Sequence, residues 1–206
     1  MKLHAWMFAF AAVALGQVPN QHHPPLSSDE YARVLEDPSR DAWQKPNAVV
    51  MALDLKPTDT VADIGAGSGY FARRFALHAR RVYAVDIDEK LLAMARSKAP
   101  ANLETIVAAP DDPHLPQQSI DMVFFCDVLH HIENRSAYYE KLAKVLKPSG
   151  RIVVIDFYKK PLPLGPPVPM KLSDQDVIAE FQKAGFALSK QLDTLPYQYF
   201  LFFERR

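Results

Sequence analysis

VADIGAGSGY, residues 61–70, is an apolar run that ends in Gly65, Gly67 and Gly69 and passes straight into residues of helical spacing, with Phe71 and Phe75 one turn apart. A strand over 60–64, a glycine turn and a helix over 71–77 make the opening of a βα unit. Glycine lets the chain turn tightly and lets a ligand approach the backbone, while the next helix offers unpaired N–H groups. An ordinary strand-to-helix turn has the same look, so the surroundings decide what this one serves.

Working outward, strands and helices alternate. Apolar runs at 81–86, 103–108 and 120–126 read as strands, and residues 89–98 as a helix with Leu91, Leu92 and Ala95 on one face. Tyr138, Tyr139, Leu142, Val145 and Leu146 mark another helix, stopped by Pro148 and Gly150, before a fifth strand at 151–157. The proline-rich connection PLPLGPPVP (161–169) excludes regular structure. Ser173 caps a helix carrying Val177, Ile178, Phe181 and Ala184, which Gly185 ends. Runs at 187–192 and 197–203 leave no room for a crossover, so they pair antiparallel. The expectation is an α/β fold: a parallel sheet with helices on both faces, closed by a C-terminal antiparallel strand hairpin.

Ahead of the sheet, residues 28–55 look helical, with breaks near Pro38 and Pro46. Residues 28–206 are expected to form a single domain, with 28–55 as its helical N-terminal lid or cap. The start differs: Lys2 and His4 lead into the apolar stretch 5–15, then small residues before Gln17. This has the layout of a secretory signal peptide over 1–16, followed by a tether over 17–27. It implies export, or a periplasmic location. The competing reading is a helix packed on a cytoplasmic domain, and the apolar run is too short for a stable membrane span.

Composition narrows the partners. Lysine and arginine number 24 and aspartate and glutamate 24, so the chain has no bulk attraction to nucleic acid or an anionic membrane. The single cysteine, Cys126, excludes an intrachain disulfide. His22 and His23 have no further ligands nearby, and no metal site is expected.

On an open α/β sheet the ligand lies beyond the carboxyl ends of the strands. The second strand ends in Asp86, about twenty residues past the glycines, where a carboxylate accepts the two hydroxyls of a ribose. The alternative role for Asp86 is a helix N-cap, since Asp88 and Glu89 begin a helix close by. Ile87 would offer an apolar face to adenine.

VADIGAGSGY resembles the first motif of class I S-adenosylmethionine-dependent methyltransferases, with glycines spaced two and two; dinucleotide enzymes leave a longer second gap. DDPHLPQQSIDMVFF (111–125) resembles the family's third and fourth motifs, and LKPSGRIVVIDF (146–157) is similar to the segment that forms its fifth strand. The resemblance runs from Asn47 to the C-terminus. It implies a Rossmann-like fold with S-adenosyl-L-methionine as cofactor and methyl transfer as activity. Carried over, it gives Asp63 the methionine end, Asp111 or Asp112 the adenine amino group, and Cys126 and Asp127 a place beside the methionine moiety. VLHHIENR (128–135) is most like the branch that methylates quinones and other small molecules, which implies a small-molecule acceptor.

Methyl transfer needs a base only when the nucleophile arrives protonated. His130 and His131, just past the fourth strand, are candidates for it, or are structural histidines at a helix start. Tyr31, Arg40, Trp43 and Gln44 form a lid, or else Trp43 anchors the core and Arg40 pairs with an acid. Phe157, Tyr158 and Tyr197 line an acceptor pocket, or simply pack. Two rival functions stand beside methyl transfer: a nicotinamide-dependent oxidoreductase, and a nucleotide-cofactor-binding protein without catalysis.

Overall fold

The computed structural model describes residues 27–97 and 99–206. The signal-peptide reading over 1–16, the tether except Ser27, the pair His22 and His23, and the helix end at Lys98 lie outside the described residues.

Three helices precede the sheet: α1 (Ser28–Leu35), α2 (Arg40–Gln44) and α3 (Pro46–Leu53). Ser27 starts α1 with a reciprocal cap, its hydroxyl taking the Glu30 amide while the Glu30 carboxylate takes the Ser27 amide. Pro46 opens α3, where its missing N–H costs nothing. Then follow β1 (Thr60–Ile64), α4 (Ala72–Phe75), β2 (Arg81–Asp86), α5 (Glu89–Ser97), β3 (Leu103–Val107), β4 (Ile120–Cys126), α6 (Arg135–Val145), β5 (Leu146–Phe157), α7 (Asp174–Lys183), β6 (Phe186–Leu192) and β7 (Gln198–Arg205).

The seven strands lie in the order β3-β2-β1-β4-β5-β7-β6. The first five are parallel, and β7 runs antiparallel to both β5 and β6. β1 is buried along its whole length, as a strand covered on both faces must be. One face packs Ile64, Phe125, Leu142, Val154 and Phe181; the other packs Val61, Phe75, Phe124, Ile155 and Phe200. Strand order reverses between β1 and β4, so a crevice opens at their carboxyl ends.

Two local expectations need correction. Pro148 and Gly150 do not end α6; they lie at the start of a longer β5, which begins as soon as the helix stops at Val145. Ile120 pairs with Leu146 and Met122 with Arg151, so the intervening residues sit in a register slip, where a proline without an N–H is tolerated. The proline-rich connection is also not wholly irregular, since Val168–Met170 forms a short 3-10 turn.

Candidate functional site at the carboxyl edge of the sheet

The glycine turn is built by backbone geometry. Gly65 and Ala66 both donate their amides to the Val85 carbonyl, at 2.8 and 3.0 Å. Gly65 and Gly67 hold φ of +69° and +54°, the left-handed region that side chains avoid. A Cβ on Gly65 would lie 2.1 Å from Val128, and one on Gly67 2.7 Å from Leu35 of α1. Thus the turn is gripped between the end of β4 and the N-terminal helix. Ser28 on α1 also donates to Asp88 at 2.8 Å, while Glu36 accepts from Ser68 at 2.6 Å and from Arg73 at 2.7 and 2.8 Å.

Asp86 closes the mouth of the turn. Its carboxylate takes the Gly67 amide at 2.7 Å and the Asp88 amide at 2.9 Å. Helix capping falls to Asp88, which accepts from Lys90 and Leu91, so the N-cap alternative for Asp86 is set aside. Burial pushes the Asp86 carboxyl up, against the pull of those amides. Ile87, next in the chain, is 63% exposed at the strand end. Asp63 lies buried inside β1, where desolvation pushes it up to about 8 although an amide bond from Ala72 opposes this.

At the end of β4, Asp127 adopts φ +59° and meets a polar chain drawn from distant segments. Gln198 on β7 donates to Asp127 at 2.6 Å, and Gln44 on α2 donates to Gln198 at 2.9 Å. The Arg40 guanidinium lies 4.0 Å from the Asp127 carboxylate, donates to Gln44 and to the Leu35 carbonyl, and stacks 4.1 Å over the Tyr70 ring. Burial and the charge of Asp156 push Asp127 up to about 6, against Arg40 and Gln198. Burial also drives the Cys126 thiol upward. Arg40 is therefore paired with an acid, and that acid is itself at the carboxyl edge.

His130 follows in a 3-10 turn, its Nδ1 held by both Asp156 oxygens at 2.9 and 3.1 Å. Both side chains are almost wholly buried, at 3% and 0% exposure. Burial pulls the imidazole down, but the bond to Asp156 and its charge outweigh that and leave it raised. The ring of His131 lies 4.2 Å from that of His130.

Other expected residues sit nearer the rim. Asp111 and Asp112 make their side-chain contacts with Lys141 and His114 rather than with Asp86 or the turn. Tyr31 faces the edge, its hydroxyl pushed up by burial and by the carboxylates of Asp127 and Asp86. Trp43 packs on Phe157 at 5.8 Å, and Tyr158 on Tyr199 at 5.9 Å. Tyr197 accepts the Tyr158 amide through its carbonyl. Sequence reasoning missed Asp156, Gln198 and Tyr199; the available signal was a carboxylate and an amide inside otherwise apolar strands.

Residues 62–154 match the methyltransferase domain family. Phosphoethanolamine N-methyltransferase 1 of Arabidopsis thaliana is 29% identical over 119 residues, covering 54% of this chain and 24% of that protein. Demethylmenaquinone methyltransferase of Tropheryma whipplei is 30% identical over 117 residues, covering 56% and 48%. The chain thus spans less than half the length of these curated relatives. In fold it is similar to a SAM-dependent methyltransferase from Aquifex aeolicus, with TM-score 0.80, 24% identity, and 87% and 98% of the two chains covered. The domain match over 62–154, the strand order and the motifs agree in likening the chain to the class I S-adenosylmethionine-dependent methyltransferases.

Proposed function

We propose that the chain transfers the methyl group of S-adenosylmethionine to a small-molecule acceptor. The observation that carries this is Asp86, fixed by the Gly67 and Asp88 amides at the mouth of a glycine turn. Its remaining lone pairs suit the ribose hydroxyls, beside a turn whose glycines let Val128, Leu35 and Ala95 pack directly on the backbone. Asp63 and the Cys126–Asp127 end of β4 would face the methionine part, Ile87 the adenine ring, and Asp111 or Asp112 its amino group. The cofactor supplies a methyl carbon already activated by a sulfonium, so the protein has to align, desolvate and exclude water. Tyr31, Arg40, Trp43 and Gln44 form the cover, with Phe157, Tyr158 and Tyr197 as acceptor walls.

Relatives named for phosphoethanolamine and demethylmenaquinone support a small acceptor. Calorimetry tests the cofactor directly. S-adenosylhomocysteine should bind while NAD does not; binding of NAD alone would restore the oxidoreductase. Export with loss of residues 1–16 is part of the same proposal, and no helix among the described residues is long and apolar enough to cross a membrane. Intact mass of protein from its native host checks it: a chain still starting at Met1 contradicts it.

A further inference from the structure

Asp156 is fully buried at the carboxyl end of a central strand. An ionised carboxylate there is costly unless it is bonded, and its two oxygens are committed to the His130 ring, with the Phe157 amide at 2.8 Å on one of them. Because Nδ1 carries that bond, Nε2 is the nitrogen left for an exchangeable proton. β4 and β5 run side by side with Cys126 opposite Ile155, so Asp127 and Asp156 follow at the next positions. The dyad therefore stands one strand away from the place the methionine end takes in the proposed function. Tyr199, the cross-strand partner of Asp156, is also fully buried, and its hydroxyl meets no hydrogen-bond partner among the described residues. A hydroxyl left unmet beside such a pair fits a polar group delivered by a ligand.

We infer that the acceptor presents a phenolic or enolic hydroxyl, and that His130, oriented by Asp156, removes its proton as the methyl group moves. This rests on the methyltransferase function proposed above. An amine freed of its proton in bulk water already offers a lone pair and has no use for a buried base, whereas a neutral hydroxyl of this kind does. The O–H proton passes to Nε2, an oxygen lone pair forms the new bond to the methyl carbon, and the carbon–sulfur pair stays on sulfur as a neutral thioether. The imidazolium faces Asp156 until its proton returns to solvent. Asp156 acts through His130 and is a positioning residue. The charged and titratable neighbours are Asp156 and Asp127 on the favourable side, Arg135 opposing, Lys171 acting on Asp156, and the adjoining His131 and Tyr199.

The test uses 4-nitrophenol, whose phenolate absorbs visible light, and the full chain. At a pH where free nitrophenol is protonated, protein saturated with S-adenosylhomocysteine should develop the phenolate band; H130Q should not, and D156N should need a higher pH to show it. With S-adenosylmethionine, transfer to nitrophenol should fall about 100-fold or more in H130Q while S-adenosylhomocysteine affinity holds. No band in the wild type, a band or rate that survives in H130Q, or methylation of benzylamine in place of the phenol would overturn the inference. Calorimetry on the wild type keeps the two claims apart: if S-adenosylhomocysteine does not bind, the cofactor assignment fails first and takes this one with it.

Discussion

Asp63 is a carboxylate inside a strand that is otherwise apolar, and burial holds it protonated up to about 8. Its folded value lies above the unfolded one, so between them the native state binds more protons than the unfolded chain. Stability from this group is complete below the unfolded value and is lost as pH rises through about 8. Asp63→Asn should therefore raise Tm relative to wild type, by a margin that widens from pH 5 to pH 9 in thermal melts, while weakening cofactor binding; a constant margin across pH would assign Asp63 another role. Asp86→Ala removes charge-assisted bonds worth about 1.5–3 kcal/mol, so affinity for S-adenosylhomocysteine should fall about 10- to 100-fold by calorimetry. Equal affinity of folded mutant and wild type removes the ribose assignment. Both residues were legible in the sequence because the motif around the glycines lies within about 25 positions of chain. Asp156 and Gln198 were not, since their partners come from 26 and 71 or more residues away, and only the closed sheet brings them together.

At the scale of elements, the N-terminal helices pack on the glycine turn and reach Gln198 of β7. The sequence left lid and anchor as alternatives for this segment because nothing local states what a half-apolar helix faces. In the structure Leu35 fills the space over Gly67, Glu36 ties α1 to Ser68 and Arg73, and Gln44 is fully buried against Gln198. Deleting residues 28–46 should leave the sheet by circular dichroism, weaken cofactor retention and abolish turnover; full activity of the truncated chain would show an open site. Glu36→Ala is the gentler probe. It removes only the tie between helix and turn, so cofactor release in stopped flow should speed up with little change in Tm. The start of β5 shows the opposite limit of sequence reading, because a proline and a glycine read as a stop signal yet occupy a register slip. There Gly150→Ala would set a Cβ 2.8 Å from Leu146 and 2.9 Å from the Ile120 carbonyl, so unfolding free energy should drop by about 1–3 kcal/mol in urea titration.

Over the whole molecule, the alternation of strands and helices was enough to predict the parallel sheet and its closing hairpin. Strand order was supplied by tertiary packing. That order has an electrostatic result, because it gathers four carboxylates at one edge: Asp63, Asp86, Asp127 and Asp156. Arg40 is a cation set among them, and the edge becomes more negative as the raised carboxyls ionise with increasing pH. S-adenosylmethionine carries a sulfonium charge that S-adenosylhomocysteine lacks, and a ligand stabilises the fold in proportion to the logarithm of its saturation. The methyl donor should therefore gain on the product as pH rises from 5 to 9, first as Asp127 ionises near 6 and again as Asp63 ionises near 8. Paired thermal melts with each ligand at equal concentration read this as a growing difference in Tm, and the donor should release more protons on binding when calorimetry is repeated in buffers of different ionisation heat. A difference in Tm that stays flat across that range, with no proton release, would mean that the carboxylates do not face the sulfonium.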